Sequence, residues 1–391
     1  MIKALQFFFL FTMATGFSQS LPLSQDATVS VITIGPGSNL NDAFGHNAIR
    51  VKSRFSDITY DFGRYDFDAP GFYLNFARGK LNYLQGKSNY NHFIAIYRNE
   101  NRTIKEQQLQ LTTAEKQNLY DYLETNYKNN QGAYLYDFFY DNCATKIRDA
   151  IETTLAGNLI YNLPDHYKEQ TFRQLIDANL NWNTWGSFGI DIALGSIIDR
   201  TATPREQLFL PEYVNQNFET ATLKDSSQKL VVNSKTIYTK KGDNENKTSS
   251  FLTSPLLVMI LVGGFIIFIT FKDFKNKVRS KWLDLALFIT TGVIGVLLFL
   301  LWFATDHTGT AYNYNVLWAF PLSLFCVLQI VKTVPKKWFI AYIKFSILML
   351  CLLVMHWTIG VQRFAPALIP LLLALLVRYI FLLKHYKLAA V

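Results

Sequence analysis

Five apolar stretches after Ser254, at about 254–271, 282–303, 314–331, 338–355 and 364–383, constrain this chain more than any other feature. Each approaches the roughly 20 residues a helix needs to cross the hydrocarbon core of a bilayer, where backbone polar groups must be satisfied internally. The expectation for 254–391 is an all-α bundle of five transmembrane helices. The connectors orient it. The first carries Lys272, Lys275, Lys277, Arg279 and Lys281, the third Lys332, Lys336 and Lys337, and the tail Lys384 and Lys387. The second, Ala304 to Asn313, has neither Lys nor Arg. Basic connectors stay cytoplasmic, so the second connector and everything before Ser254 are expected outside.

The N-terminus agrees. Lys3 precedes an apolar run, Leu5 to Phe11, and small residues follow to about Ser18. This pattern reads as a secretory signal peptide at 1–18 rather than a span. Net charge fits the same picture. Of 38 basic and 29 acidic residues, 13 and 3 lie from Ser254 onward, leaving 25 and 26 for the rest. The formal charge of +9 is therefore topogenic, and nothing argues for nucleic acid. No Gly-rich phosphate loop and no CxxC metal spacing occurs, so neither a cofactor nor a metal is expected.

Between the signal and the membrane, the pattern predicts an α+β domain. Thr28 to Ile34 alternates as a strand, and further strands are expected at Ala48–Lys52, Asp57–Phe62, Phe93–Tyr97 and Thr103–Leu111. The aromatic stretch Phe72 to Leu84 reads as a short helix or surface loop. Thr112-Thr113-Ala114-Glu115 is a capping box that opens a helix to about Tyr127. The domain is expected over 24–160, a helical extension over 161–221, and a polar linker over 222–253. Trp182, Trp185, Asp191 and Asp199 in the extension read as packing.

Cys143 is the only cysteine before the membrane segment, so it has no disulfide partner within its own domain. Asp141 or Asn142 reads as the N-cap of a helix continued by Ile147, Ile151 and Leu155. The sulfur then sits in the first turn, where the helix dipole favours thiolate. An inert buried thiol is the plain alternative. A nucleophile needs a base and a group that orients it. His46, His92 and His166 are the exported histidines; His46, after Gly45 at a loop-to-strand junction, is favoured over His92. Asp61 on the next strand can hold the second imidazole nitrogen, or simply end the strand in a turn.

These motifs carry a family resemblance. GHNAIRV and DITYDFG, followed by FFYDNCATKIRD about 95 residues after the first, resemble a circularly permuted papain-like fold of NlpC/P60 type, in which His precedes Cys. More closely, the order resembles Lnb-type bacterial lipoprotein N-acyltransferases, through the FRQL to FLP stretch at 172–211 and DHTGTAYNYNVLWAFPL at 306–322. The family typically has Asn where Asp61 stands. The resemblance implies a periplasmic thiol domain on an inner-membrane bundle. It implies acyl transfer from phospholipid, through a Cys143 thioester with His46 as base, to the amine of a diacylglyceryl lipoprotein. A cell-wall peptidase or amidase, and a non-enzymatic sensor or assembly module, are the other classes open to such a domain. Asn142, next to the thiol, and His307, Asn313 and Asn315 in the second connector are the candidate substrate contacts; interfacial anchoring is the plain reading of that connector.

The charge pattern makes the topology testable. A reporter fused after Lys277 is expected to behave as cytoplasmic, and one inserted near Gly309 as extracytoplasmic. The reverse at either site breaks the orientation.

Overall fold

The computed structural model describes residues 22–242 and 251–388. The expected signal peptide at 1–18 lies outside these residues. The rest of the region before the membrane is built on one antiparallel sheet of β1 (Thr28–Ile34), β2 (His46–Ser53), β3 (Ser56–Arg64), β4 (Asn82–Asn89), β5 (Ile104–Leu109), β6 (Tyr134–Leu135) and β9 (Val231–Tyr238). Its spatial order is β6-β4-β3-β2-β1-β5-β9, and β7 (Leu159–Ile160) pairs separately with β8 (Thr222–Leu223). The helices are α1 (Phe72–Ala77), α2 (Tyr90–Asn99), α3 (Thr113–Lys128), α4 (Cys143–Thr154), α5 (Phe172–Asp177), α6 (Trp185–Ala193) and α7 (Pro211–Thr220).

The alternation in β1 has a structural cause, because helices cover both faces of the sheet. Val29 and Val31 join Ile49, Val51 and Phe62 against Ile147 and Ile151 of α4, Leu119 and Leu123 of α3, and Val214 and Phe218 of α7. Ile32, Ile34 and Ala48 face Phe93 and Ile94 of α2 on the other side. Each side chain so buried contributes roughly 1.5–3 kcal/mol.

Two expectations need correction. The stretch Phe93–Tyr97 is not a strand; it lies inside α2, capped by the Asn89 side chain, which accepts from Asn91 N–H. Phe93, Ile94 and Tyr97 have helical spacing as well as partial alternation, and a window of five residues does not separate the two. The expected linker at 222–253 contains β8 and β9, and β9 pairs with β5 as an edge strand of the main sheet. Its side chains are mostly exposed, which is why it reads as polar. Of that stretch, 243–250 lies outside the described residues.

The C-terminal region is helical: α8 (Pro255–Asn276), α9 (Lys281–Phe303), α10 (Ser323–Ile330), α11 (Lys337–Thr358) and α12 (Ile369–Leu388). Among the described residues, four helices are long and apolar enough to span, at Pro255–Asn276, Lys281–Phe303, Lys337–Thr358 and Pro366–Tyr386. The fifth expected span, 314–331, is not one helix. It is a 3₁₀ turn at Tyr314–Leu317, an irregular piece containing Pro321, and the eight residues of α10, about 12 Å long. Proline has no N–H to continue a helix and constrains the residue before it. The broken segment still runs between the two ends of the bundle. Asn315 bonds the exported domain, while the Ile330 and Val331 carbonyls accept from Arg279 and Lys281 beside the start of α9. Glycines let the pieces approach: a Cβ on Gly295 would lie 2.1 Å from the Ala319 carbonyl oxygen.

Inside the bundle Arg378 of α12 is fully buried. It donates to Asp284 of α9 at 2.7 Å and to Asp273 of α8 at 2.7 Å, tying three helices together. Arg279 lies 3.6 Å from Asp284, so two cations balance two carboxylates. Removing one partner of such a buried set leaves uncompensated charge. Arg378→Ala is expected to cost about 3–5 kcal/mol, read as a lowered unfolding midpoint of the detergent-solubilised protein.

Candidate active site

Gly45 turns the chain into β2. Its φ of +84° and a Cβ position only 2.6 Å from the Ile34 carbonyl oxygen exclude a side chain there. His46 follows, paired with Ile34 at the end of the sheet. Asp61 lies on the neighbouring strand β3, opposite Ala48. Its buried carboxylate meets His46 Nε2 at 3.0 Å. That leaves Nδ1 as the ring nitrogen available to Cys143, whose half-buried sulfur is hydrogen-bonded to the imidazole. The structure thus brings the Cys143 sulfur, the His46 imidazole and the Asp61 carboxylate together in that order.

Asn142 delivers the sulfur. It is the N-cap of α4, and its Oδ1 accepts from the Ala144 N–H at 2.8 Å and the Thr145 N–H at 2.9 Å. Its Nδ2 donates to the Phe138 carbonyl at 2.7 Å and the Phe209 carbonyl at 2.8 Å. With the amide so occupied, the expectation that Asn142 contacts substrate is corrected: it is a positioning residue. Facing Cys143, Gly63 has φ +98° and stands at a bulge in β3, where a Cβ would lie 3.8 Å from the Cys143 Cβ.

The electrostatics follow from these contacts. Burial pushes the Cys143 thiol up, but the His46 imidazole and a hydrogen bond from the Asn47 backbone N–H outweigh it and hold the thiol below its ordinary value. Burial also opposes charge on His46; Tyr97, the sulfur and Asp61 reverse this and raise the imidazole well above its ordinary value. Asp61, despite its burial, is held low by His46 and by Arg64, whose Nε donates to it at 3.0 Å. A thiolate–imidazolium pair is the state these shifts favour.

Sequence reasoning missed Arg64, Asn47 and Gly86. Gly86 pairs with Asp61 on β4, and a Cβ there would fall 1.9 Å from Arg64 Nε, so its absence opens the space in which Arg64 folds over the carboxylate. Arg64 was visible as the third residue after Asp61, across a glycine that signals a bulge. His92 sits exposed on α2 and His166 is exposed and bonded to Gln216, so neither joins the sulfur.

The second connector meets this domain, but not as expected. Asn313 is fully buried and donates to the Ile192 and Ala193 carbonyls at 2.8 and 3.0 Å. Asn315, also fully buried, donates to the Asp191 and Ile192 carbonyls at 3.0 and 3.2 Å. Both side chains cap the C-terminal carbonyls of α6. His307 Nε2 lies 3.1 Å from the Phe76 carbonyl at the C-terminal end of α1. The expected substrate contacts at Asn313 and Asn315 are therefore corrected to a docking seam, with His307 at its edge. The seam also reaches the segments that follow β3 and precede α4. Asp306 N–H donates to the Arg78 carbonyl at 2.9 Å, beyond the Gly63–Arg64 bulge. Thr308 donates to Asp137 at 2.6 Å, six residues before Cys143.

Two family profiles match the chain. The one described as the Lnb N-terminal periplasmic domain covers residues 20–178, and the one described as the Lnb transmembrane domain covers 245–388. The chain belongs to the Lnb family. No curated protein and no solved structure matches it. This Lnb protein is a multi-pass membrane protein with a periplasmic N-terminal domain, and the periplasmic side is the side on which that domain meets the second connector.

The paired shifts give a sign. Cys143 titrates below a free thiol and His46 above a free imidazole, so the ion pair persists between the two values and is lost by protonation below and deprotonation above. Alkylation of Cys143 by a water-soluble reagent is expected to reach its plateau at lower pH than for a free thiol of about 8.5. In His46→Ala the rise should move upward; an unchanged profile would detach the imidazole from the thiol.

Proposed function

We propose that this protein is a thiol-dependent N-acyltransferase of the bacterial inner membrane, acting from a circularly permuted papain-like domain on phospholipid and lipoprotein. One observation carries the reading. A thiol paired with imidazole and carboxylate sits in a domain whose chain at Arg78 and Asp137, the latter six residues before the thiol, is hydrogen-bonded to the residues just past the outer end of α9. A lipid-facing address of this kind suits substrates held in the bilayer, whereas a peptidoglycan amidase needs only a tether.

In the proposed first half-reaction the Cys143 thiolate attacks the acyl carbonyl of a phospholipid ester. The tetrahedral adduct collapses by breaking the acyl C–O bond, and imidazolium His46 gives its proton to the departing lysophospholipid oxygen. In the second, the α-amine of a diacylglyceryl-cysteine attacks the thioester. His46 takes the amine proton, the C–S bond breaks, and the thiolate returns as the amide forms. Asp61, held by Arg64, keeps the imidazole in register and stabilises its charged form. Asn142 occupies the Ala144 and Thr145 N–H groups, so the backbone N–H at the helix start that suits the oxyanion is that of Cys143 itself.

Cys143→Ser is expected to abolish N-acylation, and Asp61→Ala to lower it by one to two orders of magnitude through the misplaced imidazole. Mass spectrometry of lipoprotein N-termini, from cells lacking the chromosomal copy and carrying each variant, reads both. Full N-acylation with Cys143→Ser would end the thioester mechanism.

A further inference from the structure

The segment between β3 and β4 leaves several large apolar side chains uncovered. Helix α1 buries only Phe72. Tyr73 is 77% exposed, Leu74 62% and Phe76 54%, and Phe67 in the preceding turn is 60% exposed. Several aromatic side chains on one six-residue helix and its lead-in would be costly in water, and patches of this kind mark a surface that meets something apolar.

The surroundings identify the occupant. The C-terminal end of α1 is fastened to the chain that leaves α9. Asp306 N–H and His307 Nε2 meet the Arg78 and Phe76 carbonyls, Lys80 lies 3.6 Å from Asp306, and a Cβ on Gly79 would strike the His307 backbone. Phe303, in the last turn of α9, is itself largely exposed. The patch therefore sits at the height where the apolar surface of the bundle ends. The helix carries no charged residue, and Arg78 and Lys80 follow it at the level where phospholipid headgroups lie. Aromatic side chains flanked by basic ones are the composition that settles in a membrane interface.

The root of the segment is the thiol site. Gly63 packs against Cys143 and Arg64 holds Asp61. An aromatic series leads back from the patch: Tyr65 touches Tyr83 edge-on at 5.4 Å, and Tyr83 stacks on Tyr136 at 4.1 Å, next to the Asp137 that Thr308 holds. We propose that residues 65–77 form a flap that inserts its aromatic face into the outer-leaflet interface and holds the mouth of the Cys143 site against the lipid surface. This deepens the acyl-transfer reading by naming where the donor is met.

The test uses the full-length protein in vesicles of phosphatidylethanolamine and phosphatidylglycerol. An environment-sensitive fluorophore is placed at Leu74→Cys in a Cys143→Ser, Cys326→Ala, Cys351→Ala background. Phe55→Cys, at the β2–β3 hairpin and the other end of those strands from His46, is the control. The expected result is blue-shifted emission at 74, quenched by lipids spin-labelled near the headgroup, with water-like emission at 55. Water-like, unquenched emission at 74 overturns the proposal. So does a shift that occurs only on adding a lipoprotein, which would give the face to protein. With the native thiol, the triple variant Tyr73→Ser, Leu74→Ser, Phe76→Ser is expected to raise the apparent KM for phospholipid several-fold with kcat retained and Cys143 alkylation unchanged; an unchanged KM overturns it. Absence of acyl transfer in the unmodified protein would sink the functional reading and leave the depth measurement to decide this one.

Discussion

The arrangement depends on two buried amides. Asn313 and Asn315 leave the membrane region and satisfy the last carbonyls of α6, groups that no helix can satisfy for itself. A buried carbonyl without a partner costs about 1–3 kcal/mol, so undocking exposes a penalty on both sides of the seam. Close packing tightens the constraint, since a Cβ on Gly195 would lie 1.9 Å from the Ala311 carbonyl oxygen. The Gly195 and Ser196 N–H groups complete the seam by donating to the Gly309 and Tyr312 carbonyls. The orientation of the thiol relative to the membrane follows from this seam.

The site itself is a balance of opposed terms. Burial alone would leave Cys143 protonated and His46 neutral, an unreactive pair. Placing the two in contact, with Asp61 behind the ring and Arg64 behind Asp61, makes each charge the partner of the next. The charges alternate along the line, so none is buried alone. The Asp61 carboxylate stays ionised in its buried place because His46 and the Arg64 guanidinium offset the cost of that burial.

How much of this was legible depended on whether the signal was local. The Thr112 capping box and an N-cap at Asp141 or Asn142 are short-range features that the residues displayed, and the structure puts the second cap at Asn142. Strand β9 was hidden because an edge strand with exposed side chains has the composition of a linker; only its pairing with β5 reveals it. The 314–331 stretch was misread because hydropathy counts apolar residues and ignores that Pro321 interrupts a helix ladder. The roles of Asn313 and Asn315 were reversed for a related reason: polarity at membrane depth marks a partner, and sequence cannot say whether that partner is lipid or another part of the same chain.

The sheet order has a consequence for how the protein is made. Its last strand, β9, comes from residues 231–238, so the edge of β5 stays unpaired until nearly the whole exported part has crossed the membrane. The contacts at Arg78 and Asp137 wait longer, because residues 306–308 follow two membrane helices in the chain. Maturation is thus staged by synthesis itself. Cys143 is translated early, but the contacts that dock its domain form only after the bundle has begun to insert, so a chain stalled before α9 carries the thiol in an undocked domain.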